Sequence, residues 1–406
     1  MTVLRPPTPS SLLALRQELS SAVDAVPLTP TAPEGPNPEG RPVDAAEARA
    51  AAATGRAHTA VARGVRSLGG AIEEIFLPRR AADAHDVVIE VEFCGLCHSD
   101  VHAARGEWGS RALPFVTGHE MVGRVVAVGS SVTAHAVGDR VGVGCLVGSC
   151  RRCDACLRGQ EMFCTQGSVG TYGAWDRFHG ERTQGGYATS IVVAEDFVLK
   201  VPEALDAAAA APLLCAGITS YSPLRAAGVG EGTRVGVAGL GGLGHLAVKL
   251  AAAMGAEVTA FTTSPAKVEA ARALGAHHTV LSTDPEAMAA AAASLDVVID
   301  AISAPHDVNA YLKTLRPTGR LAQIGLPPGG GGGQAVDAAL LVRHGLSLVG
   351  SKIGGIPETQ EMLDFCAEHG VATDVEVVGA DGLNEAWDRM VAGDVRYRFV
   401  LDNSTL

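Results

Sequence analysis

Residues 234–256 read RVGVAGLGGLGHLAVKLAAAMGA and place a glycine-rich turn between an apolar strand and an alanine-rich helix. The glycines have the G-x-G-x-x-G spacing of a turn that binds a dinucleotide. In that spacing the first glycine permits a tight turn, the second lets the backbone approach a pyrophosphate, and the third lets helix pack on strand. The amino terminus of the helix adds amide donors and a positive dipole. The residues predicted to contact the cofactor here are Gly239, Gly241, Gly242, Leu243 and Gly244.

The segment about 20 residues beyond the turn indicates which cofactor is used, because NAD sites commonly carry an Asp or Glu there for the ribose hydroxyls. Residues 261–267 read FTTSPAK and offer hydroxyls and a cation instead. Glu257 lies at the start of the strand and not at its end. The sequence therefore predicts NADP(H) as the cofactor. The residues expected to contact its 2′-phosphate region are Thr262, Thr263, Ser264 and Lys267.

The pattern around the turn predicts an α/β chain with two kinds of domain. From about residue 203, apolar strands alternate with alanine-rich stretches, which is typical of a doubly wound parallel sheet. From about residue 86, short β-rich runs punctuated by glycine predict an irregular, barrel-like β domain. Residues 27–42 are rich in proline and glycine and predict a linker, although 11–24 could form a short amphipathic helix. The predicted division is a largely flexible extension at 1–55, the β-rich domain at 56–202, the dinucleotide domain at 203–352 and a return to the β-rich domain at 353–406.

Composition excludes several classes of function. The 406 residues are 47% hydrophobic, enough to bury a large core. No apolar run reaches the ~18 residues that would span a membrane, and the amino-terminal residues do not resemble a secretory signal. The net charge of −12, without a basic stripe, argues against a nucleic-acid partner. We therefore expect a cytoplasmic protein that acts on a small molecule.

Four cysteines within 15 residues form the second distinctive motif, CRRCDACLRGQEMFC at 150–164. Such a cluster could bind a metal, close disulfides or perform redox chemistry. In the cytoplasm thiols stay reduced, and clustered cysteines there bind metal more often than they form disulfides. Two C-x-x-C steps and a longer return have the spacing of a closed tetrahedral Cys₄ zinc site.

Several motifs in this order resemble the zinc-dependent medium-chain dehydrogenases, most closely the cinnamyl alcohol dehydrogenase-like branch with its bacterial NADPH-dependent aldehyde reductases. The resemblance begins at about residue 56 and continues to the carboxyl terminus. It implies a GroES-like catalytic domain beside a Rossmann cofactor domain, with two zinc ions per chain. The motifs are CGLCHSDVH (94–102), TGHE (117–120), the four-cysteine segment, LLCAGITSYSPL (213–224), GLGGLG (239–244) and VRYRFVLD (395–402).

The resemblance assigns ligands to both zinc ions. A structural zinc would be bound by Cys150, Cys153, Cys156 and Cys164. A catalytic zinc, which needs three protein ligands and an open position, would be bound by Cys97, His119 and Cys215, with Glu120 as an alternative ligand or an acidic neighbour. Asp100 is similar to the carboxylate that orients a ligating histidine. Cys94, Cys145 and Cys366 are expected to be buried spectators, although Cys94 and Cys145 lie in β-rich stretches of the catalytic domain and could approach the site.

The resemblance also implies a route for the proton. Ser99 would transfer it from the reacting oxygen toward His102, which exchanges it with solvent. A turn-capping hydroxyl and a surface histidine are the simpler interpretations of these two residues. Cofactor contacts are implied for His98, Ser351 and Arg398.

Two departures from the branch are visible. TGHE replaces the usual P-G-H-E, and residues 165–182 differ from the plant enzymes along a predicted pocket wall, so a monolignol substrate does not follow. Trp108, Tyr172 and Trp175 could line that wall or pack in the core.

The sequence thus predicts a zinc- and NADP-dependent alcohol dehydrogenase that acts mainly as an aldehyde reductase. Two alternatives remain: a biosynthetic reductase of an iminium or activated C=C bond, and a non-catalytic zinc- or nucleotide-binding protein. The intact Ser99 and His102 count against the first, and the complete ligand set counts against the second. The resemblance further implies a homodimer, with LSLVGS at 346–351 as the candidate edge.

Overall fold

The computed structural model describes residues 39–326 and 334–406. The predicted helix at 11–24 and most of the linker at 27–42 lie outside the described residues. The strands are β1 (His58–Val65), β2 (Ile72–Arg79), β3 (Asp86–Gly95), β4 (Met121–Val128), β5 (Arg140–Val143), β6 (Leu146–Gly148), β7 (Val169–Gly170), β8 (Trp175–Asp176), β9 (Glu181–Arg182), β10 (Ser190–Ala194), β11 (Leu199–Lys200), β12 (Arg234–Ala238), β13 (Glu257–Thr262), β14 (His278–Leu281), β15 (Leu295–Asp300), β16 (Leu315–Gln323), β17 (Ser347–Gly350), β18 (Val375–Val378) and β19 (Arg398–Asp402).

The α-helices lie between these strands in the alternation that the sequence predicts. They are α1 (Ala45–Ala52), α2 (His98–Ala104), α3 (Asp154–Leu157), α4 (Ala207–Ala210), α5 (Ala216–Ala226), α6 (Gly244–Ala253), α7 (Val268–Ala273), α8 (Pro285–Ala290), α9 (Val308–Leu312), α10 (Ala338–His344), α11 (Ile356–His369) and α12 (Leu383–Ala392).

The cofactor domain contains a six-stranded parallel sheet in the order β14-β13-β12-β15-β16-β17. Ala238 is paired with Phe261 on one side and Asp300 on the other, so the carboxyl ends of the three central strands meet at one edge. Ligands of such sheets bind outside this edge, where the strand order reverses. The glycine turn begins there, directly after β12, as the sequence predicts.

The catalytic domain contains a seven-stranded, mostly antiparallel sheet in the order β11-β5-β4-β3-β19-β18, with β10 also paired to β3. Strand β19 comes from the carboxyl-terminal return and pairs with β3, aligning Val400 with Gly95 and Leu401 with Cys94. This pairing places the last strand beside the segment that begins α2. The carboxyl-terminal return thus completes the sheet that carries the predicted zinc ligands.

The predicted extension at 1–55 requires a correction. Helix α1 lies inside that range, yet Ala48 and Ala52 are buried, and the Arg49 guanidinium donates to the Asn403 carbonyl oxygen at 2.6 Å. Asp44 caps the helix by accepting from the Glu47 amide at 2.7 Å. The sequence did not predict this packing, because the helix contacts the sheet through two small alanine side chains that form no clear apolar pattern. Residues 45–52 are therefore part of the folded domain and not a flexible segment.

One apolar cluster extends across the junction of the two domains. It includes Val122 and Val400 from the catalytic sheet together with Val235 and Leu246 from the cofactor domain. Within the described residues no single helix is long and apolar enough to cross a membrane, and one bent pair, 207–214 with 216–226, meets the test only by length and composition.

Candidate active site

Four thiols converge in the lobe around α3. The Sγ atoms of Cys150, Cys153, Cys156 and Cys164 all lie within 4.8 Å of one another, and all four cysteines are free. Cys156 Sγ is 3.4 Å from Cys153 Sγ and 4.0 Å from Cys150 Sγ. Thiolates bound at about 2.3 Å to a tetrahedral ion would be about 3.8 Å apart. The residues therefore fit a closed structural zinc site.

A second cluster contains Cys97, His119, Glu120 and Cys215, whose ligand atoms also lie within 4.8 Å of one another. Each lies at the end of an element: Cys97 directly before α2, His119 and Glu120 directly before β4, and Cys215 directly before α5. The last three are buried. Contact with Cys215 lowers the pKa of the Cys97 thiol well below its ordinary value. Zinc binds the thiolate, so the residues fit a zinc ion here.

Asp100 lies directly behind His119. Its Oδ1 is 3.1 Å from His119 Nδ1, and its Oδ2 accepts from the Cys97 amide at 2.9 Å. Because Nδ1 faces the carboxylate, Nε2 is the histidine nitrogen left for a metal. Tyr187 also donates its hydroxyl to Asp100 Oδ2, at 2.8 Å. This tyrosine was missed in the sequence, because no periodic pattern links residues 87 positions apart.

A buried ion pair connects the cluster to the cofactor domain. Arg398, the first residue of β19, pairs with Glu120 Oε1. A Cβ on Gly242 would lie 2.9 Å from Arg398 Cδ, so the arginine stem packs against the glycine turn. Burial raises the pKa of Glu120 to about 7, although the Arg398 charge opposes the shift. The sequence assigned Arg398 to the cofactor and did not foresee its pairing with Glu120.

The glycine turn has the conformation that its sequence requires. Gly239 has φ +89°, and a Cβ on Gly244 would lie 1.8 Å from the Gly239 carbonyl oxygen. A larger residue at either position would therefore be strained or clash. His245 follows and was not singled out in the sequence: its Nδ1 is 3.1 Å from the Gly241 carbonyl oxygen, and its ring stacks on Tyr397 at 4.6 Å.

The predicted 2′-phosphate residues gather at the carboxyl end of β13. Thr262 Oγ1 accepts from the Ser264 amide at 3.2 Å, which shapes the chain after the strand. Lys267 donates from Nζ to the Leu240 carbonyl oxygen at 3.2 Å, and this bond brings its charge back to the glycine turn. Thr263 is exposed between them. Ser351 directly follows β17, at the same edge of the sheet.

The predicted proton-relay residues lie on α2. Ser99 is half-buried in the first turn, and His102 follows three residues later on the same face. His102 Nδ1 is 2.6 Å from Glu107 Oε2, which leaves Nε2 free of that contact. The His98 ring lies 6.2 Å from the His102 ring.

The three aromatic residues proposed for the pocket wall have different neighbours. The Tyr172 ring lies edge-on to His119 at 5.4 Å and to Phe115 at 5.6 Å, so it packs around the metal-ligand histidine. Trp108 packs on His102 at 5.1 Å. Trp175 lies in the short β8–β9 pairing.

Of the three remaining cysteines, Cys145 lies beside the catalytic cluster, which is one of the two positions that the sequence left open for it. Cys145 contacts Cys215, and this contact lowers the pKa of the Cys145 thiol. The chain brings Cys145 there because it directly precedes β6, next to the Leu214 carbonyl oxygen at 3.9 Å. Cys94 and Cys366 are fully buried, as expected.

Comparison with known proteins places this geometry in a family. Residues 83–203 match the alcohol dehydrogenase GroES-like domain, and residues 242–368 match the zinc-binding dehydrogenase domain. The NADP-dependent alcohol dehydrogenase C 1 of Mycolicibacterium smegmatis is 50% identical over 331 residues, which is 81% of this chain and 94% of the relative. The aldehyde reductase YahK of Escherichia coli is 49% identical over 336 residues, 82% of this chain and 95% of the relative.

Solved structures agree with this assignment. A cinnamyl alcohol dehydrogenase of Sorghum bicolor has a TM-score of 0.82 at 43% identity, covering 85% of this chain and 98% of the other. The cinnamyl alcohol dehydrogenase of Helicobacter pylori, solved with NADP(H), has a TM-score of 0.80 at 38% identity, covering 86% and 99%. The chain belongs to the zinc-dependent medium-chain alcohol dehydrogenases, in the cinnamyl alcohol dehydrogenase-like branch. The family resemblance and the two-domain fold predicted from the sequence are therefore confirmed.

Proposed function

We propose that this protein is a zinc- and NADP-dependent alcohol dehydrogenase that works mainly as a reductase of small aldehydes. One observation carries the proposal: Arg398 joins the cluster of predicted zinc ligands, through Glu120, to the glycine turn, where it packs against Gly242. A metal ion that activates a carbonyl and a cofactor that reduces it would therefore be held next to each other. The similar bacterial proteins are named as NADP-dependent alcohol dehydrogenase and aldehyde reductase.

Different residues of this site would bind the metal, orient its histidine ligand and bind the cofactor. When bound, zinc supplies a Lewis acid for the carbonyl oxygen and NADPH supplies the hydride. Cys97, His119 and Cys215 would hold the metal, with Glu120 as the alternative ligand, and Asp100 would orient His119. The turn at 239–244 would bind the pyrophosphate through its backbone amides and the amino terminus of α6.

Ser99 and His102 would return a proton to the product oxygen. Ser99 is two residues beyond Cys97, and His102 lies one helical turn further along α2 with its side chain 14% exposed. The Glu107 carboxylate holds His102 Nδ1, which leaves Nε2 to exchange the proton with solvent. Hydride addition to an iminium gives a neutral amine that needs no proton, and hydride addition to an activated C=C bond calls for a proton on carbon and not on oxygen, so this hydroxyl-imidazole pair favours a carbonyl substrate.

The choice of cofactor follows from the end of β13. Thr262, Thr263 and Ser264 offer hydroxyls and Lys267 offers a cation at a position where a carboxylate would repel a 2′-phosphate. We accordingly assign NADP(H) to this site, with further contacts from His98, Ser351 and Arg398.

The exposed edge of the parallel sheet favours assembly of the protein. Strand β17 ends the parallel sheet, and Val349 on it is 36% exposed. An apolar strand at a sheet edge favours pairing with another copy, so we propose a homodimer through residues 346–351.

All nine cysteines of the chain are free thiols, which accords with a reducing compartment such as the cytoplasm.

The proposal is tested by steady-state assays with a panel of aldehydes, using NADPH and NADH, combined with elemental analysis. We expect two zinc ions per chain and a markedly higher kcat/KM with NADPH. Cys215→Ser should leave a folded protein with one zinc and almost no turnover. Full turnover of Cys215→Ser would refute the assignment of the catalytic zinc.

A further inference from the structure

The carboxylate of Asp100 is fully buried and surrounded by donors. Oδ1 accepts from the Gly118 amide at 3.1 Å and lies 3.1 Å from His119 Nδ1. Oδ2 accepts from the Cys97 amide at 2.9 Å and from the Tyr187 hydroxyl at 2.8 Å. A carboxylate offers about four lone-pair sites, so these contacts can satisfy both oxygens. Three of these four donors belong to segments that carry a metal ligand, and the fourth, Tyr187, comes from a different part of the chain. The Tyr172 hydroxyl also interacts with this carboxylate.

Tyr187 is held too firmly for its hydroxyl to move away. Its side chain is fully buried, its amide donates to the Thr117 carbonyl oxygen at 3.1 Å, and its own carbonyl oxygen accepts from the Arg63 amide at 2.8 Å. Asn403 donates to the carbonyl oxygens of the residues on either side of Tyr187, at 2.9 and 2.8 Å. Burial and the Asp100 charge raise the pKa of Tyr187 well above its ordinary value, so the hydroxyl remains a donor.

We propose that Tyr187 is a positioning residue for the catalytic zinc: through Asp100 it fixes the orientation of the His119 imidazole and thereby slows loss of the metal. The proposal rests on the proposed function, which places zinc at Cys97, His119 and Cys215.

The physical reason lies in how the carboxylate is oriented. Without the Tyr187 hydroxyl, Oδ2 loses its 2.8 Å hydrogen bond, and the Cys97 amide that still donates to it belongs to a segment that moves with the metal site itself. Asp100 then keeps the Tyr172 hydroxyl as its partner outside the ligand segments, and Tyr172 itself packs against the His119 ring. Removal of a residue that orients a ligating histidine typically lowers metal affinity or activity by about 10–100-fold. Because Tyr187 acts one contact further out, we expect an effect at the lower end of that range.

The test measures zinc release from the intact protein to a chromophoric chelator. Wild-type protein should release two zinc ions in separate phases, and Cys215→Ser, which lacks the catalytic ion, identifies the catalytic phase. In Tyr187→Phe we expect the catalytic zinc to leave about tenfold faster, while the structural zinc on the Cys₄ lobe leaves at the wild-type rate. We also expect kcat to fall while the KM for NADPH stays unchanged.

Tyr221→Phe is the matched control. Tyr221 is also buried and donates its hydroxyl to a carboxylate, Glu361 Oε1, at 2.9 Å, but it lies outside the zinc cluster. Its release rates should equal those of the wild type. Equal catalytic-zinc release in Tyr187→Phe and Tyr221→Phe would overturn the proposal, as would equal acceleration of both zinc ions in Tyr187→Phe, which indicates general loosening. Wild-type protein with only one zinc would instead refute the proposed function, and the inference with it.

If Tyr187→Phe does not fold, site-specific 3-fluorotyrosine at position 187 preserves the shape of the side chain and changes the acidity of its hydroxyl. Cobalt(II) placed in the catalytic site then serves as the probe. We expect its visible absorption bands to shift relative to unmodified protein, because a stronger bond to Asp100 weakens the bond from Asp100 to His119. Unshifted bands would overturn the proposal.

Discussion

At the scale of single residues, the proposed preference for NADPH depends on the absence of a carboxylate after β13. Ser264 lies at this position, and its amide is bonded to Thr262 Oγ1. Ser264→Asp would place a negative charge near the 2′-phosphate, at a cost between about 1 kcal/mol in water and about 4 kcal/mol near a protein surface. We expect the ratio of kcat/KM with NADPH to kcat/KM with NADH to fall at least about fivefold.

Ser264→Asn is the control for this variant, because it has nearly the same size as Asp without the charge. The ratio should change little in Ser264→Asn. A wild-type preference for NADH, or equal effects of the two substitutions, would contradict the interpretation of residues 261–267.

Residues of the site differ in how well the sequence predicts them. Cys97, His119 and Cys215 could be predicted because a family resemblance marks each position, and the structure brings them within one cluster. Tyr187 and the pairing of Glu120 with Arg398 could not, since each depends on which strands become neighbours. Contacts of this kind follow from the sheet register, which no local pattern of residues encodes.

At the scale of elements, the amino terminus of α6 carries a buried histidine. Burial lowers the pKa of His245 to about 3, below the unfolded value of about 6.5. Between about pH 6.5 and pH 3, His245 is therefore protonated in the unfolded chain and neutral in the folded chain. The free energy of unfolding consequently falls as the pH decreases through this range. The loss between pH 7 and pH 5 is about 2 kcal/mol.

His245→Phe should remove this contribution while keeping a ring to stack on Tyr397. We expect the free energy of unfolding, measured in urea at pH 7 and pH 5, to fall about 2 kcal/mol less in the variant than in the wild type. The same decrease in both proteins would show that His245 is accessible to protons in the folded state.

The lobe around α3 carries the four cysteines that fit a structural zinc, so we expect its folding to depend on metal. It has few strands of its own, and the Cys₄ cluster joins its two ends. Structural zinc contributes folding free energy directly. Cys153→Ser should therefore lower the yield of folded protein and the midpoint of thermal unfolding, whereas Cys366→Ser, at a buried cysteine outside both clusters, should leave the zinc content at two. Retention of two zinc ions in Cys153→Ser would contradict this role.

Elements were predicted more completely than their contacts. The strands around the glycine turn and the alternating helices agree with the sequence pattern, because hydrophobic periodicity reports on them directly. Helix α1 was missed, because its buried residues Ala48 and Ala52 are too small to give the helix a recognisable apolar face in the sequence.

At the scale of the whole molecule, helix α1 links the amino-terminal region to the last residues of the chain. Deletion of residues 1–53 removes the burial of two alanines and the Arg49 bond to the Asn403 carbonyl oxygen. These contacts contribute about 3 kcal/mol, and Asn403 in turn holds the segment of Tyr187. We expect a lower free energy of unfolding and faster loss of the catalytic zinc.

Deletion of residues 1–38 is the comparison, because it leaves α1 and every contact described above in place. Zinc content, NADPH affinity and turnover on small aldehydes should then remain close to those of the full chain. A large fall in turnover with zinc and oligomeric state preserved would show that the first 38 residues act at the active site.

The pairing of Glu120 with Arg398 spans 278 positions of sequence, and this has a consequence for how the protein is made. While the chain leaves the ribosome, Cys97, His119 and Cys215 are all synthesised long before β19 exists. Glu120 has no arginine partner until almost the last residues emerge. Strand β3 can pair with β4 and β10 before then, but not with β19. Long-range pairing of this kind delays folding. The thiols of Cys97 and Cys215 therefore wait, without the completed sheet around them, until synthesis of the chain is almost finished.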